Sequence, residues 1–73
     1  MEYVVVTYPE DRTVYVDGED NGQTNTVIRV DSGTHGFDLG DPKDYSPSSI
    51  EKQVTGTSPL EPLTLVFVPQ GDA

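Results

Sequence analysis

The chain reads as all-β, a small antiparallel β-sandwich or open barrel of about six short strands in one domain over residues 1–73. Three observations predict this. Every apolar segment is short and alternates with the strand period, no run keeps the helix period over a useful length, and Gly, Pro and Asn punctuate the chain at regular intervals.

Residues 2–8, EYVVVTY, carry β-branched and aromatic side chains on both alternating faces, as a strand covered on both sides does, and Pro9 ends them. Residues 13–16, TVYV, set Val14 and Val16 on one face and Thr13 and Tyr15 on the other, then meet the strong reverse-turn pair Asp17-Gly18. Asn21-Gly22 repeats the turn signal. Residues 26–30, TVIRV, align Thr26, Ile28 and Val30 and turn Arg29 to water. Residues 34–39, THGFDL, align His35, Phe37 and Leu39 as the inner face of a half-buried strand. Residues 40–49, GDPKDYSPSS, are loop chemistry, with Tyr45 as the side chain that pins the loop to the core. IEKQV, 50–54, is a short fifth strand. The last and most apolar, 63–68, stops at Pro69.

Composition narrows the function classes. A domain of 73 residues buries only about 60% of the surface its unfolded chain exposes, so its core is thin. With no cysteine there is no disulfide framework and no thiolate metal site, and the compartment stays open. Thirteen Asp and Glu against four Lys and Arg give a net charge of -9. Nucleic acid and anionic membrane surfaces would be repelled. Divalent cations, basic partner proteins or life at high salt fit this acidity, and so does a plain solvated face that keeps a small domain soluble. No apolar run is long enough to insert in a membrane, and Met1 leads into Glu2 and a strand-like run with no export signal. A monomer is expected, although an exposed edge strand leaves room for dimerisation.

Two motifs invite stronger readings. VDSGTH, residues 30–35, contains the Asp-Ser-Gly-Thr of an aspartic-protease corner, but Arg29 stands where an apolar residue belongs. LVFVPQG supplies no closing segment, so the motif reads as a hairpin turn. DGEDNG, residues 17–22, begins like an EF-hand loop, but the twelfth position is Ile28 instead of Glu and the flanks are strands. What survives is a weak calcium site on Asp17, Glu19 and Asp20, set against a hairpin loop whose charges stay hydrated. Asp38, Asp41 and Asp44 form a looser acidic group with the same two readings. His35 is expected to be a half-buried, hydrogen-bonded packing residue and not a base or ligand.

No catalytic set emerges and no cofactor is implied beyond the calcium reading. The sequence points to a non-enzymatic structural or interaction module for a protein or polysaccharide partner. Its binding would use sheet-edge backbone or Tyr3, Tyr8 and Tyr15 beside acidic side chains, for which ordinary strand packing is the simpler account.

The order of turns over YPEDRTVYVDGEDNGQTNTVIRVDSGTHGFDLGDPKDY resembles the PEGA domain, a short bacterial and archaeal β-module. Pro9 and Glu10 begin its name-giving motif; Val14, Val16, Asp17, Gly18, Gly22 and Thr24 follow its second element. Ile28, Val30, Gly33, His35 and Tyr45 fit the rest. Asp11 and Arg12 replace Gly and Ala, Asn25 replaces Pro, and Asp44 replaces Gly. The resemblance implies a compact β-sandwich-like module, joined to other domains in envelope or surface proteins, with no catalytic residues to carry over. It also implies that VDSGTH is strand-turn-strand.

Overall fold

A computed structural model describes residues 1–70. Nine strands follow one another: β1 (Glu2–Thr7), β2 (Thr13–Val16), β3 (Glu19–Gln23), β4 (Val27–Val30), β5 (Gly33–Asp38), β6 (Tyr45–Ser46), β7 (Ile50–Val54), β8 (Leu63–Val66) and β9 (Val68–Pro69). They form a first sheet in the order β4-β1-β8, a second in the order β3-β2-β5-β7, and a ribbon of β6 and β9.

The alternation seen in the sequence decides what is buried. Val4, Val6, Ile28, Val30 and Leu65 from the first sheet meet Val14, Val16, Phe37 and Val54 from the second, with Tyr8, Leu39, Tyr45 and Phe67 completing one core. Burying a Val or Phe side chain in this way contributes about 1.5–3 kcal/mol each, which is how a thin core holds a short chain. β1 is covered fully on one face only, since Tyr3, Val5 and Thr7 remain half-buried.

Four features differ from the antiparallel six-strand expectation. β8 runs parallel to β1, with Val4 opposite Leu63 and Thr7 opposite Val66. The chain leaves β7 in one sheet and enters β8 in the other, so strand direction is set by this crossing and not by a hairpin. Second, β3 is a strand where a turn-rich loop was expected. Asp17-Gly18 alone makes the β2–β3 turn, with φ of 53° and 85° at the two residues, and Val16 faces Glu19. Asn21-Gly22 is not a second turn but lies within a register shift between Thr13 and Tyr15.

Third, β4 and β5 belong to different sheets, so VDSGTH is a strand-turn-strand that crosses the sandwich and not a hairpin. Gly33, at φ 131°, begins the new strand in a conformation that L side chains rarely adopt. Finally, the last apolar run breaks at Phe67, whose N–H donates to the Thr7 carbonyl at 3.0 Å. Val68 and Pro69 then pair with Ser46 and Tyr45, making β6 from part of the expected loop.

Candidate functional site

β2 leads from one functional candidate to another. Its far end opens a cleft of about 270 Å³ lined by Met1, Val16, Asp17, Glu19, Asp20, Asn21, Arg29, Val30, Asp31 and His35. The positive φ of Asp17 turns its carboxylate back towards β5, where Oδ1 accepts the Gly36 N–H at 2.9 Å and Oδ2 lies 2.6 Å from His35 Nδ1. The Asp17 N–H in turn donates to the Gly36 carbonyl at 2.8 Å. The Gly36 bond, then His35, hold the Asp17 carboxyl below its ordinary pKa. His35 Nε2 lies 2.7 Å from the Asp31 carbonyl, and the ring stands edge-on to Phe37. His35 is thus the hydrogen-bonded, half-buried packing residue expected, and it packs against charged neighbours.

Asp17, Glu19 and Asp20 all line this cleft, but from different positions. Glu19 and Asp20 sit in β3 opposite Val16 and Tyr15, successive strand residues point to opposite faces, and both Asp17 oxygens are engaged. Among the described residues no group of three His, Cys, Asp or Glu side chains is placed to hold a metal ion. Of the looser acidic group Asp38, Asp41 and Asp44, Asp38 accepts the Gly40 N–H and Asp44 pairs with Arg12.

Nor do the three tyrosines make one surface. Tyr8 is core: 7% exposed, it packs edge-on to Tyr45 with ring centroids 6.4 Å apart, which removes it as a contact residue. Tyr3 lies half-buried on the outer face of the first sheet, opposite Arg29. Tyr15 lies half-buried on the outer face of the second, opposite Asp20 and Asp38. A Cβ on Gly40 would stand 2.6 Å from the Tyr15 ring, so that glycine, at φ 71°, is where the ring fits.

The near end of β2 is closed. Arg12 donates to Asp44 at 2.7 Å and to the carbonyls of Pro42 and Leu39 at 2.8 and 3.2 Å, with its guanidinium over the rings of Tyr8 and Tyr45. The buried Tyr45 hydroxyl donates to the Gly40 carbonyl at 2.8 Å and accepts the Leu39 N–H at 3.1 Å, so it does pin the loop. The buried Thr24 hydroxyl donates to the Glu10 carbonyl and accepts the Arg12 N–H. The Asn25 side chain bonds both backbone groups of Tyr8.

A third surface escaped the sequence reading. On the outer face of the first sheet Val5 stands between Val27 and Thr64, with Val66 beside Thr7 in the next row, and Val27 and Val66 are 47% and 56% exposed. Val68, in the β6–β9 ribbon that follows, is also exposed. Residues 62–70, PLTLVFVPQ, carry no charge in a chain of net charge -9. That contrast was the available signal. Among the described strands β8 has no partner on its second side.

A search of curated proteins and one of solved structures each return no match. The family described as "PEGA domain" matches residues 1–55, which takes in β1 to β7, the Arg12 corner and the His35 cleft. This chain is therefore a member of the PEGA domain family.

Proposed function

We propose that this PEGA domain is a non-catalytic interaction module that meets an extended segment of a partner protein along the open edge of β8. The family is one of non-catalytic modules, typical of extracellular and envelope proteins, which supports a binding role at a surface. The observation that carries the reading is the uncharged β8 edge, where Val66 is exposed beside Thr7 and Val68 is exposed two residues on, in a domain otherwise dressed with carboxylates. A strand unpaired on one side offers backbone N–H and C=O groups to an incoming strand, and the apolar residues beside it give that strand something to pack on. Pro62 and Pro69 bracket the edge, limiting the addition to a short segment. No observation favours calcium over this reading.

The test is site-specific photo-crosslinking in the source cells, with the reactive side chain at Val66 or at Glu19. Partner adducts from position 66 and not from 19 are expected. Adducts from 19 alone would move the interface to the acidic cleft and end the edge reading.

A further inference from the structure

His35 sits at the open end of the sandwich, two residues before buried Phe37 on the same strand. Its two ring nitrogens face the Asp17 carboxylate at 2.6 Å and the Asp31 main-chain oxygen at 2.7 Å. Both of those oxygens are acceptors with no proton to give. A neutral imidazole carries one N–H, so it can satisfy one of them and must set a bare nitrogen lone pair against the other. Only the imidazolium donates to both.

We propose that His35 is held as the imidazolium and serves as a pH-operated clasp between the β2–β3 turn and the β4–β5 crossing. Loss of its proton releases Asp31. The carboxylate is the stronger acceptor, so the remaining N–H stays on Nδ1 and the break falls at Nε2. Asp31 belongs to the segment that passes from one sheet to the other and forms a wall of the cleft, so the clasp controls the shape of that cleft.

The surroundings favour the charged ring. Asp17 approaches from the turn, Glu19 and Asp20 line the cleft from β3, and Asp31 lies on the crossing. Arg29 from β4 and Met1, which carries the α-amino group, line the cleft as well, and Lys52 of β7 stands opposite His35 in register. Carboxylates outnumber cations, and the nearest of them touches the ring. The hydrogen bond to Asp17, then that to Asp31, raises the His35 pKa above its ordinary 6.5, against the opposing effect of burial.

The experiment is a long-range nitrogen-proton spectrum of the His35 ring in the whole chain, followed with pH beside the amide signals of Ser32 and Gly33. Two protonated ring nitrogens at pH about 7 are expected, with a midpoint above the roughly 6.5 of a free histidine. The Ser32 and Gly33 amides should shift with the same midpoint. In Asp17→Asn the midpoint should fall, and in His35→Gln the amide shifts over that range should vanish. A neutral ring at pH about 7, amides that ignore the ring's midpoint, or a midpoint unchanged in Asp17→Asn would each overturn the clasp. The first two readings need no substitution, so a variant that fails to fold does not remove the test.

Discussion

Just before β2, the Arg12 side chain is 14% exposed, lies over two aromatic rings and bonds four separate groups of the β5–β6 loop. At its end, Asp17 is 55% exposed and fixes one histidine and one backbone strand. Both ends carry an ion pair between residues far apart in sequence, and the pairs are equally open to water, Arg12 and Asp44 at 14% and 60%, His35 and Asp17 at 16% and 55%. They differ because Arg12 also holds loop carbonyls against Tyr8 and Tyr45, whereas His35 borders a cleft. Arg12 keeps its proton at any working pH and so works as a fixed structural tie. The charge of His35, and hence its geometry, follows the solution.

The Arg12 end should therefore dominate stability. Tyr45→Ala removes two edge-on aromatic contacts and both hydroxyl bonds, and is expected to cost on the order of 3–5 kcal/mol in urea unfolding. Arg12→Ala follows at about 2–3 kcal/mol, since the Leu39 and Pro42 carbonyls lose a charged donor. Asp44→Ala should cost under about 1 kcal/mol, because that carboxylate is mostly in water. Arg12→Lys should recover only a minor part, as an ammonium cannot reach Asp44 and the carbonyls together. If Asp44→Ala cost as much as Arg12→Ala, the exposed ion pair and not the carbonyl bonds would be the tie, and the contrast between the ends would fail.

These residues also show what the sequence made legible. Strand faces were readable because Val4, Val6, Val14, Val16, Ile28, Val30 and Phe37 alternate with polar or half-buried neighbours, and this alternation follows from burial on one side. β3 was not, since EDNGQ has no apolar period: it is an edge strand held by backbone pairing to β2 and by the Asn21 amide, which donates to the Arg29 carbonyl. The parallel entry of β8 was equally hidden, because periodicity assigns faces and says nothing of direction. In the Arg12 corner the missing information was pairing. Arg12 and Asp44 each depart from the family pattern, and the structure makes them partners across 32 residues. Asn25, a third departure, uses its amide to bond Tyr8, a role proline could not fill.

The open end should govern pH dependence. Bonds from Thr57 and Ser32 lower the Glu2 carboxyl from 4.5 to about 2, and Asp17 is lowered by Gly36 and His35. Groups lowered on folding contribute stability that is present above their unfolded pKa and lost as pH falls through the folded one. His35 is raised, so its contribution is complete below about 6.5 and lost as pH rises through its folded pKa. Urea midpoints should accordingly peak between about pH 4.5 and 6.5 and decline on both sides. His35→Gln should flatten the alkaline decline and Glu2→Gln should weaken the acid one. A decline above pH 6.5 that survives in His35→Gln would place the responsible group elsewhere.

The smallest effect expected on stability belongs to the surface proposed for binding. Val66 lies on neither end of β2; it faces solvent from the edge of the first sheet and its backbone partner is Thr7. Val66→Lys should change unfolding free energy by no more than about 0.5 kcal/mol, as for most exposed positions away from special features. A charge there also follows the device by which edge strands are commonly guarded against pairing. The same substitution should abolish partner adducts read from a crosslinking side chain at position 68, where Val68 is equally exposed. Retained adducts with unchanged stability would mean that the apolar edge is passive surface, while lost adducts with unchanged stability would separate a binding face from both ends that hold the fold.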